Sequence, residues 1–349
     1  MGERGLLPVT NFGNHRGARG AAMRLFRIGS AAHPRRRKCD LMIDVTLLGT
    51  SALLPLPERA ETAATLTCAG RTILFDCGEG TQMAARKAGV SLMKAELIAL
   101  THYHGDHIFG LPGLLQSLGC AGRTQPLYIT GPEGLHEAMQ PIFALVGDTA
   151  YPVRLMEIPE DGLRLSALDG GWPAQARLTA FATAHRVPSQ GYCFTLGRAG
   201  RFMPERAKAL GVPVGLWGAL QKGQSVQANG TTILPEQVLG EPRRGLKLVF
   251  SGDTAACDAL TDAAAGADLL IAEATYAKNE QAEMAAERGH MTFAQAAETA
   301  ARAGVRTLWL THYSQMIEDP LEFLPIAQAV FPGAVCGQDG MRVTLRFDS

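Results

Sequence analysis

From Met42 onward two hydrophobic rhythms alternate along the chain. Short apolar runs, rich in Leu, Ile, Val and Thr and ending at Gly, Asp or His, predict strands over 43–48, 64–68, 72–75, 97–100, 127–130, 178–183, 192–196, 247–250, 269–272 and 307–310. Ala- and Leu-rich stretches between them predict helices over 81–88, 111–118, 134–145, 257–264, 293–303 and 320–330. Such alternation points to layered sheets with helices outside, an α/β class. Residues 197–245 break the rhythm with Gly, Pro, Arg and Lys ("LGRAGRFMPERAKALGVPVGLWGALQKGQ"). They read as either an inserted arm or a long surface connection. The tetrapeptide Leu-Thr-His-Tyr occurs at 100–103 and again at 310–313, each time closing an apolar strand. Both copies therefore deliver a His to the carboxyl end of a strand, where open sheets build their sites.

Charge changes this picture at one end only. Across 349 residues 33 basic and 33 acidic side chains cancel, so bulk charge does not mark a general nucleic-acid or membrane-surface binder. Residues 1–41 hold nine basic residues against two acidic, leaving the remainder with 24 against 31. A polyanion bound by the main body must be held by a local patch or by metal. The stretch "MRLFRIGSAAHPRRRKC" is Arg-rich like a transit peptide, whereas a clean strand opens directly after Met42. Residues 1–41 are therefore read as a disordered or misassigned basic extension, and 42–349 as the functional domain. Seven cysteines, odd in number and without a C-x-x-C pair, argue against a disulfide framework or a thiolate zinc cluster and suit the reducing cytoplasm. No run of eighteen apolar residues occurs, so no membrane span is expected.

The densest chemistry lies at "LTHYHGDHIFGLPGLL", residues 100–115. In extended chain His102 and His104 point to one side, and Gly105 is expected to turn the chain so that Asp106 and His107 face the same cavity from the other. Imidazole mixed with carboxylate favours zinc or a similar borderline ion, and one loop can address two cations. His185, Asp253 and His312 each follow an apolar strand and raise the candidate ligands to seven. Asp253 is placed to bridge. Asp76, at a strand end, is expected to order the metal loop from behind.

Together these segments resemble the metallo-β-lactamase superfamily and, within it, the ribonuclease Z family, endonucleases that trim the 3′ trailer from precursor tRNA. The resemblance runs from about residue 43 to 347 and rests on "FDCGEGTQ" after Phe75, the 102–115 loop, "PSQGY" after His185, "FSGDT" around Asp253, "EATY" from Glu273, "GHMT" around His290 and "LTHYS" around His312. It implies an αβ/βα four-layer sandwich with a projecting arm at about 197–225. It also implies two Zn2+ per subunit: His102, His104 and His185 on one, Asp106, His107 and His312 on the other, with Asp253 between. Asp106 would orient the attacking water, and His290, partnered by Glu273, would protonate the departing 3′ oxygen. A homodimer acting on precursor tRNA in the cytoplasm is the implied assembly. A small-substrate phosphodiesterase or arylsulfatase using the same metals, and a non-cutting RNA-binding homologue, are the competing readings. Three positions depart from the family pattern: Arg59 is kept but Ala60 stands where Asn is usual, Ala272 stands where His precedes Glu273, and the arm lacks its Gly-Pro pair. In the arm, Arg198, Arg201, Arg206, Lys208 and Lys222 can meet phosphates, while Trp217 can either stack on a base or pack.

Overall fold

The computed structural model describes residues 41–348. In chain order its strands are β1 Met42–Gly49, β2 Ala63–Cys68, β3 Arg71–Phe75, β4 Ala95–Ala99, β5 Leu127–Thr130, β6 Val153–Leu155, β7 Leu163–Arg164, β8 Ala176–Ala182, β9 Gln190–Arg198, β10 Val226–Ala228, β11 Thr231–Ile233, β12 Arg243–Phe250, β13 Leu269–Glu273, β14 Leu308–Thr311, β15 Ala334–Cys336 and β16 Arg342–Arg346. They form two seven-stranded sheets, β16-β1-β2-β3-β4-β5-β6 and β15-β14-β13-β12-β9-β8-β7, and a small β10-β11 hairpin. Each large sheet is parallel in one half, β3 to β6 and β12 to β15, and antiparallel in the other.

Alternation within the strands explains the layering. Val45, Leu66, Phe75 and Leu97 of one sheet meet Phe194, Leu248, Phe250 and Trp309 of the other in a central apolar layer, with Phe75 and Phe250 stacked 5.3 Å apart. The opposite faces are covered by helices, Leu111–Cys120 and Leu135–Val146 on one side, Asp258–Ala264 and Phe293–Ala303 on the other. The result is the expected helix–sheet–sheet–helix sandwich. Helix Phe293–Ala303 shows how locally it is specified. Thr292 accepts the Gln295 N–H while Gln295 reaches back to the Thr292 N–H, Gly304 ends the helix at φ 62°, and small Ala residues line the buried side.

All ten expected strands and all six expected helices are present, with 320–330 divided into a 3-10 turn, Pro320–Glu322, and helix Leu324–Val330. Strands β6, β7, β10, β11, β15 and β16 are additional. Each is short or, like β16, lacks a buried run, so period-two hydrophobicity does not mark it; β16 is placed instead by pairing with β1, from Met42↔Arg346 to Thr46↔Arg342. The expected basic extension, 1–41, lies outside the described residues except for Leu41.

The break at 197–245 is a folded insertion. Between β9 and β12, helices Pro204–Ala209, Val214–Gln221 and Pro235–Val238 and the β10-β11 hairpin enclose a core of Ala207, Val212, Leu220, Val226, Ala228, Ile233 and Val238. The unit therefore runs on past 225 to the start of β12 at Arg243. Its two ends are joined at the antiparallel pair Arg198↔Arg243. Trp217 lies 5.2 Å from Phe202 and donates its Nε1–H to the Val212 carbonyl at 3.0 Å, so the packed alternative for this residue holds.

Candidate metal centre

The candidate ligands come from loops that leave the carboxyl ends of strands in both sheets. β4 leads to His102, His104, Asp106 and His107; β8 to His185; β12 to Asp253; β14 to His312. All seven converge. Ligand atoms of His102, His104, His185 and Asp253 lie within 4.8 Å of one another, as do those of Asp106, His107 and His312. Asp253 faces both groups. Its Oδ2 is 3.7 Å from His102 Nε2, and its Oδ1 is 3.4 Å from His107 Nε2 and 3.2 Å from His312 Nε2.

These contacts leave nitrogen and oxygen lone pairs that a cation can take up. His102 Nε2 is 2.9 Å from His104 Nδ1, and His107 Nε2 is 3.3 Å from His312 Nε2. Each pair can share one proton, and the same nitrogens, once stripped of it, offer lone pairs to a cation. Asp253 Oδ1 is buried with no hydrogen-bond partner. An unpartnered carboxylate oxygen among imidazole nitrogens is a costly arrangement that a divalent cation with nitrogen and oxygen ligands relieves. The residues present fit metal.

The remaining ring nitrogens are anchored from outside. His107 Nδ1 is 2.8 Å from Asp76 Oδ2, His102 Nδ1 is 3.0 Å from Thr101 Oγ1, His185 Nδ1 is 2.9 Å from the Gly289 carbonyl and His312 Nδ1 is 2.9 Å from Thr275 Oγ1. Asp76 also accepts the Thr101 N–H at 2.7 Å and its hydroxyl at 2.9 Å. Thr101, Thr275 and Gly289 were not singled out by sequence reasoning, although the Thr before His in both Leu-Thr-His-Tyr copies was a usable sign for Thr101. Asp76 and His312 carry φ of 54° and 59°, a left-handed conformation rare for side chains other than Gly or Asn and held here by these contacts. Asp76→Asn is expected to keep the fold and to weaken metal binding about 10- to 100-fold, read by chelator competition. An unchanged affinity would remove Asp76 from the centre.

Gly105 does not turn the chain. It opens a short helix, Gly105–Ile108, after His104 in extended conformation, and its φ is not positive. The helix, not a glycine bend, swings Asp106 and His107 round to the second group. Asp106 Oδ2 then lies 3.4 Å from His312 Nε2 and accepts the Leu53 N–H at 2.8 Å.

Electrostatics follow burial and charge. Burial lowers His102, His104 and His185, keeping them neutral. Burial opposes ionisation of Asp106 and Asp253, yet His107 and His312 hold both below the usual carboxylate range. Against its own burial, His107 is pushed well above its ordinary value by Asp253, Asp76 and Asp106. The same cluster of carboxylates attracts a cation, so protons and metal compete here and acid releases metal.

Beside this group stands His290. Its Nδ1 is 2.8 Å from Glu273 Oε1 and 3.9 Å from Asp253 Oδ2. Glu273, at the end of β13, is itself held by the N–H groups of Thr254 at 3.1 Å and Thr275 at 3.0 Å. Burial lowers the His290 imidazolium, but the Glu273 charge and hydrogen bond override it and hold the pKa up at about 9. Ligand atoms of Asp253, His290 and His312 also fall within 4.8 Å of one another, but the Nδ1 of His290 is already engaged by Glu273.

The departure at Ala272 leaves the centre intact, and the retained Arg59 braces its rim. Ala272 is wholly buried among Val249, Leu310 and Phe293 in the sheet–helix layer, away from the ligands. Strand alternation sends 272 and 273 to opposite faces. Arg59 donates Nη2–H to the Ile317 carbonyl at 2.6 Å and lies 6.0 Å from the Tyr313 ring. It ties the loop carrying Leu53 to the segment after His312.

Two mixed sheets stacked between helices, with a His- and Asp-lined centre at their strand ends, define a metal-binding hydrolase of the metallo-β-lactamase superfamily. Family models described as metallo-beta-lactamase superfamily and beta-lactamase superfamily domain match residues 66–185 and 237–313. The chain is 40% identical over 307 residues to a ribonuclease Z of Lachnoclostridium phytofermentans, covering 88% of this chain and 99% of that one. It is also 40% identical over 314 residues to a ribonuclease Z of Methanothermobacter thermautotrophicus, with the same coverage. Human tRNase Z, short form, superposes with a TM-score of 0.59 at 27% identity, covering 86% of this chain and 98% of that one. The metallo-beta-lactamase fold protein YhfI from Bacillus subtilis, at 21% identity and a TM-score of 0.61 over 88% of this chain and 100% of that one, shares the fold. The chain belongs to the ribonuclease Z family.

Proposed function

We propose that this protein is an endoribonuclease that removes the 3′ trailer of precursor tRNA with two zinc ions per subunit. His102, His104 and His185 hold one ion, Asp106, His107 and His312 the other, and Asp253 both. The observation that carries this reading is the centre's division into two ligand groups sharing Asp253, with the His290–Glu273 pair beside them. When bound, the cations lower the pKa of a water and offset charge on the phosphate. Asp106, its Oδ2 fixed by the Leu53 N–H, would orient the attacking water and receive its proton as the oxygen bonds to phosphorus. The P–O3′ bond breaks on the other side. His290, protonated and anchored through Nδ1, gives the proton at Nε2 to the leaving 3′ oxygen. The products are a tRNA ending in a 3′ hydroxyl and a trailer beginning with a 5′ phosphate.

The cavity over the centre supports a macromolecular substrate. Its volume of about 1040 Å³ is at the upper end of small-molecule sites, and a small diester would leave most of it empty. Recognition beyond the cavity falls to the insertion and its Arg198, Arg201, Arg206, Lys208 and Lys222. A homodimer in which one subunit's arm serves the other, working in the cytoplasm, completes the proposal. The dimer rests on the family resemblance, and the compartment on the scattered, odd-numbered cysteines of the sequence.

The deciding experiment incubates purified protein with a trailer-bearing precursor tRNA and maps the RNA ends, with zinc measured in parallel. A single cut at the mature 3′ end with two equivalents of zinc is expected. Hydrolysis of bis(p-nitrophenyl) phosphate with no RNA cut would favour the small-substrate reading. Replacing residues 200–241 with a short Gly-Ser linker across the paired Arg198 and Arg243 is expected to slow precursor-tRNA cleavage far more than diester hydrolysis. It should also flatten the salt dependence by about 0.7–0.9 log–log units per lost phosphate contact. Undiminished tRNA cleavage by this variant would end the arm's assigned role.

A further inference from the structure

Phe109 closes the metal loop yet is 66% exposed. Its ring lies over Gly105. A Cβ on Gly105 would stand 2.3 Å from Phe109 Cε2 and 2.6 Å from Cζ. The helical backbone at 105 makes no demand for glycine of its own. The ring covers the space a side chain at 105 would take, and it lines the cavity beside the loop that carries His104 and Asp106. An aromatic side chain on the cavity wall that is left facing water does not serve the core.

Exposed apolar and cationic side chains line the cavity from different segments. Exposed Leu53 and Met316 join Phe109 in presenting apolar surface from the segments that carry or touch the Asp106 group. Arg186, Lys278 and Arg288 line it from the segments that follow β8 and β13, those that carry His185 and His290. Single-stranded nucleic acid offers the matching alternation, flat bases and charged phosphates, and aromatic faces accept any base by stacking.

We propose that the exposed face of Phe109 is the stacking platform for the base of the first trailer nucleotide, immediately 3′ of the scissile phosphate. The direction follows from His290, on the proposed reading of the site as a tRNA trailer nuclease. The nucleotide that carries the leaving 3′ oxygen lies with His290, the water enters from Asp106, and the downstream neighbour, still joined to the phosphate, leaves that line sideways toward the rim that Phe109 lines. Phe109 thus reads the presence of a base on the side that is discarded.

The test combines Phe109→Ala, Phe109→Leu and Phe109→Trp with precursor tRNAs that are intact, abasic at the first trailer position, or abasic at the last retained position, under single-turnover conditions. The native protein is expected to lose about tenfold in rate when the first trailer base is removed, within the range for one base–aromatic stack. Phe109→Ala and Phe109→Leu should lose a similar factor on intact RNA and nothing further on that abasic substrate. Phe109→Trp should keep the sensitivity. Independent, multiplying losses, or coupling only at the last retained base, would overturn the platform. Failure of the native protein to cut intact precursor tRNA would instead reject the proposed function, so the two failures are distinguishable.

Discussion

Asp106→Ala is expected to abolish phosphodiester hydrolysis, lowering the rate by at least about 10³-fold. Each factor of ten requires about 1.4 kcal/mol at the transition state, and a metal's stabilisation of transition-state charge amounts to several kcal/mol. The substitution removes the carboxylate that faces His107 and His312. It also leaves the Leu53 N–H without its acceptor, loosening the rim of the cavity. Metal analysis should return fewer than two equivalents while circular dichroism stays close to that of the native protein, because the apolar layers lie elsewhere. Native activity with full metal content would reject the two-cation mechanism.

His290→Ala is expected to cut turnover on precursor tRNA by about 10²–10⁴-fold, the span usual for a general acid, with metal content retained because its Nδ1 is bound to Glu273. A nitrophenyl diester, whose leaving group needs no proton, should be slowed much less. The pH dependence has a definite sign. Glu273 raises the His290 pKa, to about 9 before any cation is bound; bound cations would lower that value, and the donor form is lost as pH rises through the folded pKa. The native rate on RNA should therefore fall on the alkaline side, and His290→Ala should flatten that limb. Equal slowing of both substrates would remove the proton-donor role.

Much of the centre was legible because a ligand's identity is a local property. His102, His104, Asp106 and His107 stand within six residues of one another behind a buried strand, and His185, Asp253 and His312 each announce themselves at a strand end. The strands that aim them have strong apolar runs. What stayed hidden depends on partners remote in sequence or on shape. Nothing local says that Thr275 will meet His312, 37 residues on, or that Gly289 will offer its carbonyl to His185, 104 residues away. Gly105 illustrates shape. Its sequence context suggested a turn, and only the structure shows a helix start there with the Phe109 ring packed over it. Trp217 was open to two readings until the insertion's own core settled its packing.

The sequence by itself therefore determined the layered α/β architecture, the donor chemistry and the position of the insertion, since hydrophobic period and side-chain type act over a few residues. Only the tertiary structure decided how the donors are shared out. His107 and His312 lie 205 residues apart, yet their Nε2 atoms stand 3.3 Å from each other. That meeting exists because a central apolar layer holds β4 of one sheet and β14 of the other with their carboxyl ends at the same edge. Burial there strips water from Asp253 and the imidazoles, and the cost of leaving them unpartnered makes a set of polar residues into a site for metal.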